Sequence, residues 1–299
     1  MICLVFAFSA EGFFSTYNLL NVLRNVSMQG IIAFGMTMVI IAGEIDLSVG
    51  SAVAFSGCLT AYGTRLLIGS GMGPTAAIGL SVIAALMLAF AVGCATGYLR
   101  IKFQVPTFIT TLATMTGLTG ASYLITNGFP ITPFPEWYNF IGGGYLFGIP
   151  FPAIIFLIIF VIISFLMDYT IFGRSVYAVG GNIESARLSG INVGLVKILV
   201  MGFVSLLAAL SGVMQSAQIM SGTPATAKGW ELDVISAVII GGTSLLGGQG
   251  RIRGTIIGII FLGILVNGMT LMNINEYWQY LVKGGLILTA VLVNRMTEK

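Results

Sequence analysis

The chain has 299 residues, 57% of them apolar and only 8% charged, with a net charge of +3 from 13 Lys+Arg against 10 Asp+Glu. A soluble globular domain carries about 45–50% apolar and about 25% charged residues, so composition excludes a soluble enzyme. The small, scattered positive excess excludes a nucleic-acid-binding stripe, and with no histidine the commonest general base and metal ligand is missing.

High glycine content, 40 residues without a G-X-Y period, fits membrane helices that pack through small residues. The expected fold is all-α: a polytopic integral membrane protein, one transmembrane domain over residues 1–299. The start, Met1–Ala10, is too short for a span of about 20 apolar residues and reads as the tail of a first helix; it lacks the basic lead and cleavage site of a secretory signal. A mixed stretch, Glu11–Gln29, carries Asn18, Asn21, Arg24 and Asn25. Apolar runs then follow at Gly30–Gly43, Leu47–Ile68, Pro74–Leu99, Pro106–Thr126, Pro150–Met167, Ile198–Met220, Leu232–Leu246, Gly254–Met272 and Trp278–Val293. With the stump restored, these make about ten spans. Cys3, Cys58 and Cys94 lie in apolar runs without metal-ligand spacing and read as small buried hydrophobes; no metal site is expected.

Sidedness follows from the Lys/Arg bias of short loops. If Arg100 and Lys102 face the cytoplasm, alternation places Arg174, Arg187, Lys197, Arg251, Arg253, Arg295 and Lys299 there too, along with the C-terminus. Trp137, Tyr138, Trp230, Tyr277 and Trp278 then form an outer aromatic belt.

Asp168–Lys197 is the longest polar segment, too short for a second domain. It reads either as an ordinary basic inner loop or as a short amphipathic docking helix. In the second reading the helix runs from Gly180 to Asn192, about 20 Å long. Asn182 caps its start, Glu184 lies in the first turn where the dipole favours an anion, and Gly190 stops it. Glu184, Leu188 and Ile191 share one face, expected to lean on the chain itself; Ile183, Ala186, Arg187 and Gly190 share the other, expected to meet a partner. The run Gly241–Gly250 is Gly-rich but lacks the lysine of a P-loop, so any ATP-driven action needs a separate ATP-binding subunit.

Within this segment the string GRxxxAxGGNxxxAxxSGIN, from Gly173 to Asn192, resembles the cytoplasmic coupling loop of permeases of monosaccharide (ribose-type) ABC importers, in the branched-chain-amino-acid/sugar permease superfamily. Ala42–Ser51 (AGEIDLSVGS) and Gly229–Gly250, with Arg251 to Gly258 after it, are similar to the same family, in family order. The resemblance covers nearly the whole chain and departs at the N-terminus. It implies a type II-like permease without a catalytic site or cofactor of its own, with ATP-Mg held by a partner ATP-binding cassette subunit. The other implied partners are a second permease copy or paralogue and a soluble sugar-binding protein, with lipid around the spans in a bacterial inner membrane. By the same resemblance, coupling falls on Gly173, Arg174, Gly181, Asn182, Glu184, Ala186, Arg187, Gly190 and Ile191. Alternatives from other classes are an ion-coupled secondary transporter, which needs ionisable residues in mid-span, and an intramembrane enzyme, which needs a base.

The remaining polar groups keep two readings each. Glu44 and Asp46 lie near the cytoplasmic end, where Asp46 can cap the following helix, or with Ser48 they take a pathway or gating role. Glu231 and Asp233 open a run from the outer side as helix caps, or touch the binding protein. Asn267 fits a helix–helix hydrogen bond and, alternatively, a sugar contact.

Overall fold

The structure, a computed structural model, describes Ala10 and residues 12–297, so the expected helical stump at Met1–Ala10, apart from Ala10 itself, and Cys3 lie outside the described residues. Twelve α-helices follow in chain order among the described residues: α1 Thr16–Ile41, α2 Val49–Gly69, α3 Pro74–Phe103, α4 Thr107–Thr126, α5 Asn139–Gly143, α6 Phe151–Tyr169, α7 Ile171–Gly181, α8 Ile183–Leu188, α9 Val193–Ile219, α10 Trp230–Ile240, α11 Ile252–Leu271 and α12 Glu276–Thr297. Seven of them (α1, α2, α3, α4, α6, α9 and α11) are long and apolar enough to cross a membrane, and the chain is a multi-pass membrane protein. The run expected as a span at Leu232–Leu246 is instead the 11-residue α10, about 16 Å long at 1.5 Å per residue and so half a crossing; Gly241 and Gly242 end it in a turn. The run at Trp278–Val293 lies within α12, which is not among those seven.

The local chemistry of the helix ends is conventional. Ser15, Thr170, Asn182 and Asn192 each accept a hydrogen bond from the amide three residues on, capping α1, α7, α8 and α9. This satisfies one of the orphan amides that every helix start leaves. Pro74 opens α3, where a missing N–H costs nothing. At the opposite end from Arg100, a two-residue hairpin joins β1 Tyr145–Leu146 to β2 Ile149–Pro150. Its turn residues, Phe147 and Gly148, both have positive φ, as a turn that matches strand twist requires.

α1 and α9 form the middle of the bundle. From Ile31 to Ala42 every residue of α1 and its C-cap is buried, and the Ser211 hydroxyl of α9 donates to the Met28 carbonyl at 2.8 Å. Phe34 stacks on Phe156 of α6, ring centres 5.0 Å apart. α3, α4 and α6 lie outside and present Leu80, Ile83, Met87, Leu124, Ile158 and Phe165 outward, as lipid-facing helices do.

Between α1 and α2 the chain makes an unusual connection. Glu44 meets Lys197 near the start of α9, yet Val53 lies against the backbone of Gly212, 15 residues and about 22 Å farther along that helix. Nine helical residues would rise only about 14 Å; the non-helical stretch 44–48 makes up the difference, and α2 starts deep in the bundle. The mixed stretch Glu11–Gln29, set apart from the apolar runs by its polarity, mostly belongs to α1.

Candidate functional site

A cavity of about 740 Å³ opens between α1, α9, α10, α11 and α12, in the half of the bundle away from Arg100. Its wall carries five carboxamides, Asn25, Gln29, Gln215, Gln218 and Asn267, together with Trp230 and Tyr280. Val22, Val26, Leu262 and Val266 fill the spaces between them. Carboxamides both donate and accept, and the cavity falls in the size range of small-molecule sites. α1, α9 and α11 bring their amides in from three sides, while α10, capped by Gly229 at φ +87°, presents Trp230 and Asp233 from its first turn.

Asp233 does not cap α10 from an outer surface. It lines the cavity and pairs with Lys283 of α12 at 2.8 Å, both side chains mostly buried. Lys228 is also in the wall. Glu231 turns away from the cavity: its carboxylate lies against Gly50 in the first turn of α2, leaving no room for a β-carbon there. Asn267 makes the helix–helix hydrogen bond read from the sequence and also stands in the cavity wall. Its reciprocal amide pair with Asn18, at 2.8 and 2.9 Å, ties α11 to the start of α1.

Glu44, Asp46 and Ser48 are not in the cavity wall. Glu44 is 4% exposed and accepts from Lys197, itself buried, and from Arg100 Nε at 3.0 Å. The two cations let a carboxylate stand in a site that would otherwise be costly. The Asp46 Oδ1 accepts from the Ser48 amide at 2.7 Å and the Ser48 hydroxyl at 2.6 Å. Asp46 therefore fixes the residue before α2 rather than an amide inside the helix; Ser48 is the N-cap residue.

The polar segment 168–197 is more helical than its sequence suggested. Asp168 and Tyr169 finish α6, the chain bends at Thr170, and α7 follows, with Gly173 so close to α6 that a β-carbon there would overlap the Met167 carbonyl. The helix expected to dock is six residues, Ile183–Leu188, not the 13 expected from Gly180 to Asn192. Gly190, at φ +82°, ends it: its amide bonds to the Arg187 carbonyl and the Ile191 amide to that of Ala186, the paired bonds of a left-handed helix stop. At Ala186 and Leu188 the facing is the reverse of the expectation, while Arg187 outward and Ile191 inward agree with it. Ala186 is 3% exposed and packs into the chain's own core, whereas Leu188 is 89% exposed. A helix this short turns so that its smallest residue allows the closest approach to the bundle. Arg174, Gly181, Glu184 and Arg187 stay at the surface, the last two paired at 3.2 Å, and Ile191 is partly buried against the core.

Tyr177 of α7 donates to the Gly250 carbonyl at 3.0 Å. Burial chiefly, with the nearby Asp168 charge, pushes its phenol above the usual range, against the opposing pull of Arg251. It is therefore a protonated donor throughout the physiological range.

Sequence reasoning missed Gln29, Gln215 and Gln218, and gave Trp230 to the outer aromatic belt rather than to the cavity wall. The signal was present, since a carboxamide within an apolar span is costly unless it faces an interior or a cavity.

Residues 18–291 match the family model described as branched-chain amino acid transport system / permease component. The chain is 43% identical over 285 residues to the ribose import permease protein RbsC of Bacillus subtilis, covering 95% of this chain and 86% of that one. It is 42% identical to the RbsC of Escherichia coli K12, covering 97% and 89%, and 36% identical to the L-arabinose ABC transporter permease protein AraH of Azospirillum brasilense, covering 95% and 81%. No solved structure matches it. With nearly its whole length matched, the chain belongs to the branched-chain amino acid transport system / permease component family.

Proposed function

We propose that this chain is the membrane-spanning permease subunit of an ATP-driven importer for a monosaccharide, ribose or a related pentose, hexose or furanosyl compound. The observation that carries the reading is the cavity of about 740 Å³ with five carboxamides and Trp230 in its wall. A neutral polyol needs paired donors and acceptors and an apolar ring face, and the cavity supplies both. The one carboxylate in the wall, Asp233, is taken up by Lys283 and leaves no free anion facing the cargo. Relatives named as ribose and L-arabinose permeases support the same class.

In this reading the chain does no chemistry; ATP-Mg belongs to a partner ATP-binding cassette subunit, and a soluble sugar-binding protein delivers cargo to the cavity. A second permease copy or paralogue completes the pathway. Arg100, Lys102, Arg174, Arg187, Lys197, Arg251 and Arg253 lie toward one end of the bundle, which the positive-inside rule makes cytoplasmic. α12 then returns the C-terminus to that side. The ATPase meets α7 and α8 through Arg174, Glu184, Arg187 and the outward Leu188. Gly173, Gly181, Asn182, Ala186, Gly190 and Ile191 set the shape of that surface. The pathway role moves to the cavity wall and Asn267, while Glu44, Asp46 and Ser48 fix the α1–α2 connection.

Purification of the complex tests this. The ATPase and binding protein should be recovered with the chain, and hydrolysis should rise when sugar-loaded binding protein is added. Hydrolysis by the chain alone, or uptake driven by an ion gradient without an ATPase, would overturn it.

A further inference from the structure

The Gly-rich run 241–250, which has no place in the proposed cavity, meets the chain elsewhere. Its Gly248 amide donates to the Ile41 carbonyl at the end of α1, at 2.8 Å. Gly180, in the last turn of α7, presses on the same carbonyl: a β-carbon at Gly180 would overlap that oxygen and stand 2.6 Å from the Gly248 nitrogen. A β-carbon on Gly248 would lie 2.7 Å from the Gly181 α-carbon, and one on Gly247 3.0 Å from the Gly180 carbonyl oxygen. Gly247 and Gly248 hold positive φ, +85° and +72°. The Tyr177 hydroxyl closes the junction on the Gly250 carbonyl at 3.0 Å.

We propose that this junction is a clasp that fastens α7 to the cytoplasmic ends of α1, α10 and α11, so that a push on the coupling segment moves three walls of the cavity as one body. The proposal rests on the reading that α7 and α8 receive the ATPase, and adds the positioning residues Tyr177, Gly180 and Gly248. Contacts of backbone on backbone leave no flexible side chain to absorb a displacement, and close-packed interiors transmit strain. Helices carry the displacement onward. From Ile41 to Gln29 along α1 is about 18 Å, and from Gly241 to Asp233 along α10 about 12 Å; both Gln29 and Asp233 line the cavity. α10 and α11 are joined equally tightly, since a β-carbon at Gly254 would overlap the Gly241 carbonyl. A longer side chain at Gly180 wedges the clasp open without touching the cavity or the outward face of α8.

The test uses the purified complex with its ATPase in lipid nanodiscs and proteoliposomes. Gly180→Ala should still recover the ATPase, while sugar moved per ATP falls between about twofold and about thirtyfold, the range of coupling effects for residues along such networks. Tyr177→Phe, which adds no bulk, should lower the same ratio and guards against a Gly180 variant that fails to fold. Spin labels at Ile171 and Leu246, both exposed, should keep one separation in the nucleotide-free and ATP-trapped states. A separation that changes with nucleotide, or parental sugar-per-ATP ratios in both variants, would overturn the clasp. Failure of the parent chain to recover an ATPase would instead overturn the reading on which it rests.

Discussion

Ala186 and Leu188 stand two residues apart on α8 and face opposite worlds: the first is 3% exposed and the second 89%. In the proposed function Leu188 belongs to the face that meets the ATPase. Cysteine at Leu188 should therefore crosslink to the ATPase subunit, and cysteine at Ala186 far less. Equal yields from the two positions, read on denaturing gels, would remove α8 as the docking element.

The Glu44 carboxylate holds Lys197 and Arg100 together across three segments of the chain. Removing one partner of a buried ion pair costs about 3–5 kcal/mol because the other charge is stranded, so Glu44→Gln should lower the melting temperature in detergent sharply. The double variant Glu44→Leu with Lys197→Met leaves only the partly exposed Arg100 without its partner and should lose less. A Glu44→Gln protein that melts with the parent would show that the triad contributes nothing to stability.

Asn18 and Asn267 exchange two amide hydrogen bonds between α1 and α11. Side-chain hydrogen bonds between membrane helices average about 0.6 kcal/mol and reach about 1.7 kcal/mol in double-mutant cycles. Asn18→Ala and Asn267→Ala should thus be non-additive in unfolding free energy by an amount in that range. Strict additivity would mean that the pair does not form.

In the cavity, Gln215→Leu or Gln218→Leu removes a donor and an acceptor at little change in volume. Loss of one hydrogen bond, about 1–1.5 kcal/mol, corresponds to roughly a tenfold weaker sugar interaction. Uptake kinetics should show a higher KM for delivered sugar with the ATPase still assembled. An unchanged KM in both variants would place the sugar route elsewhere.

Much of the fold was legible because hydrophobic runs of membrane length are a strong signal: α2, α3, α4, α6, α9 and α11 fall within a few residues of the expected runs. The errors share one cause, which is that apolar content reports burial and not direction. Asn18, Arg24 and Asn25 set the first half of α1 apart as a mixed stretch outside the apolar runs. Each instead has an interior partner or a cavity to face: Asn267 for Asn18, the Gly143 carbonyl and the Tyr145 ring for Arg24, the cavity for Asn25. α10 reads as a full span because the apolar run continues past Gly241, while the turn that halves the helix depends on glycine conformation and on Gly254 across from it. Asn182 and Gly190 announced the ends of α8 correctly, but its rotation was decided by the close fit of Ala186 against the core. Of the cavity wall, Asn267 and Asp233 were candidate site residues beforehand and Trp230 and Asn25 were named in other roles, since the amides acquire meaning when α1, α9 and α11 are brought together.

The most direct measurement is initial sugar uptake into proteoliposomes holding the chain with its ATPase, with ATP inside the compartment that α7 and α8 face and sugar-loaded binding protein on the other side. Labelled ribose or a related monosaccharide should accumulate only with ATP and binding protein together, and the rate should fall in Gln215→Leu. Accumulation that persists without ATP and follows an imposed ion gradient would contradict the assignment.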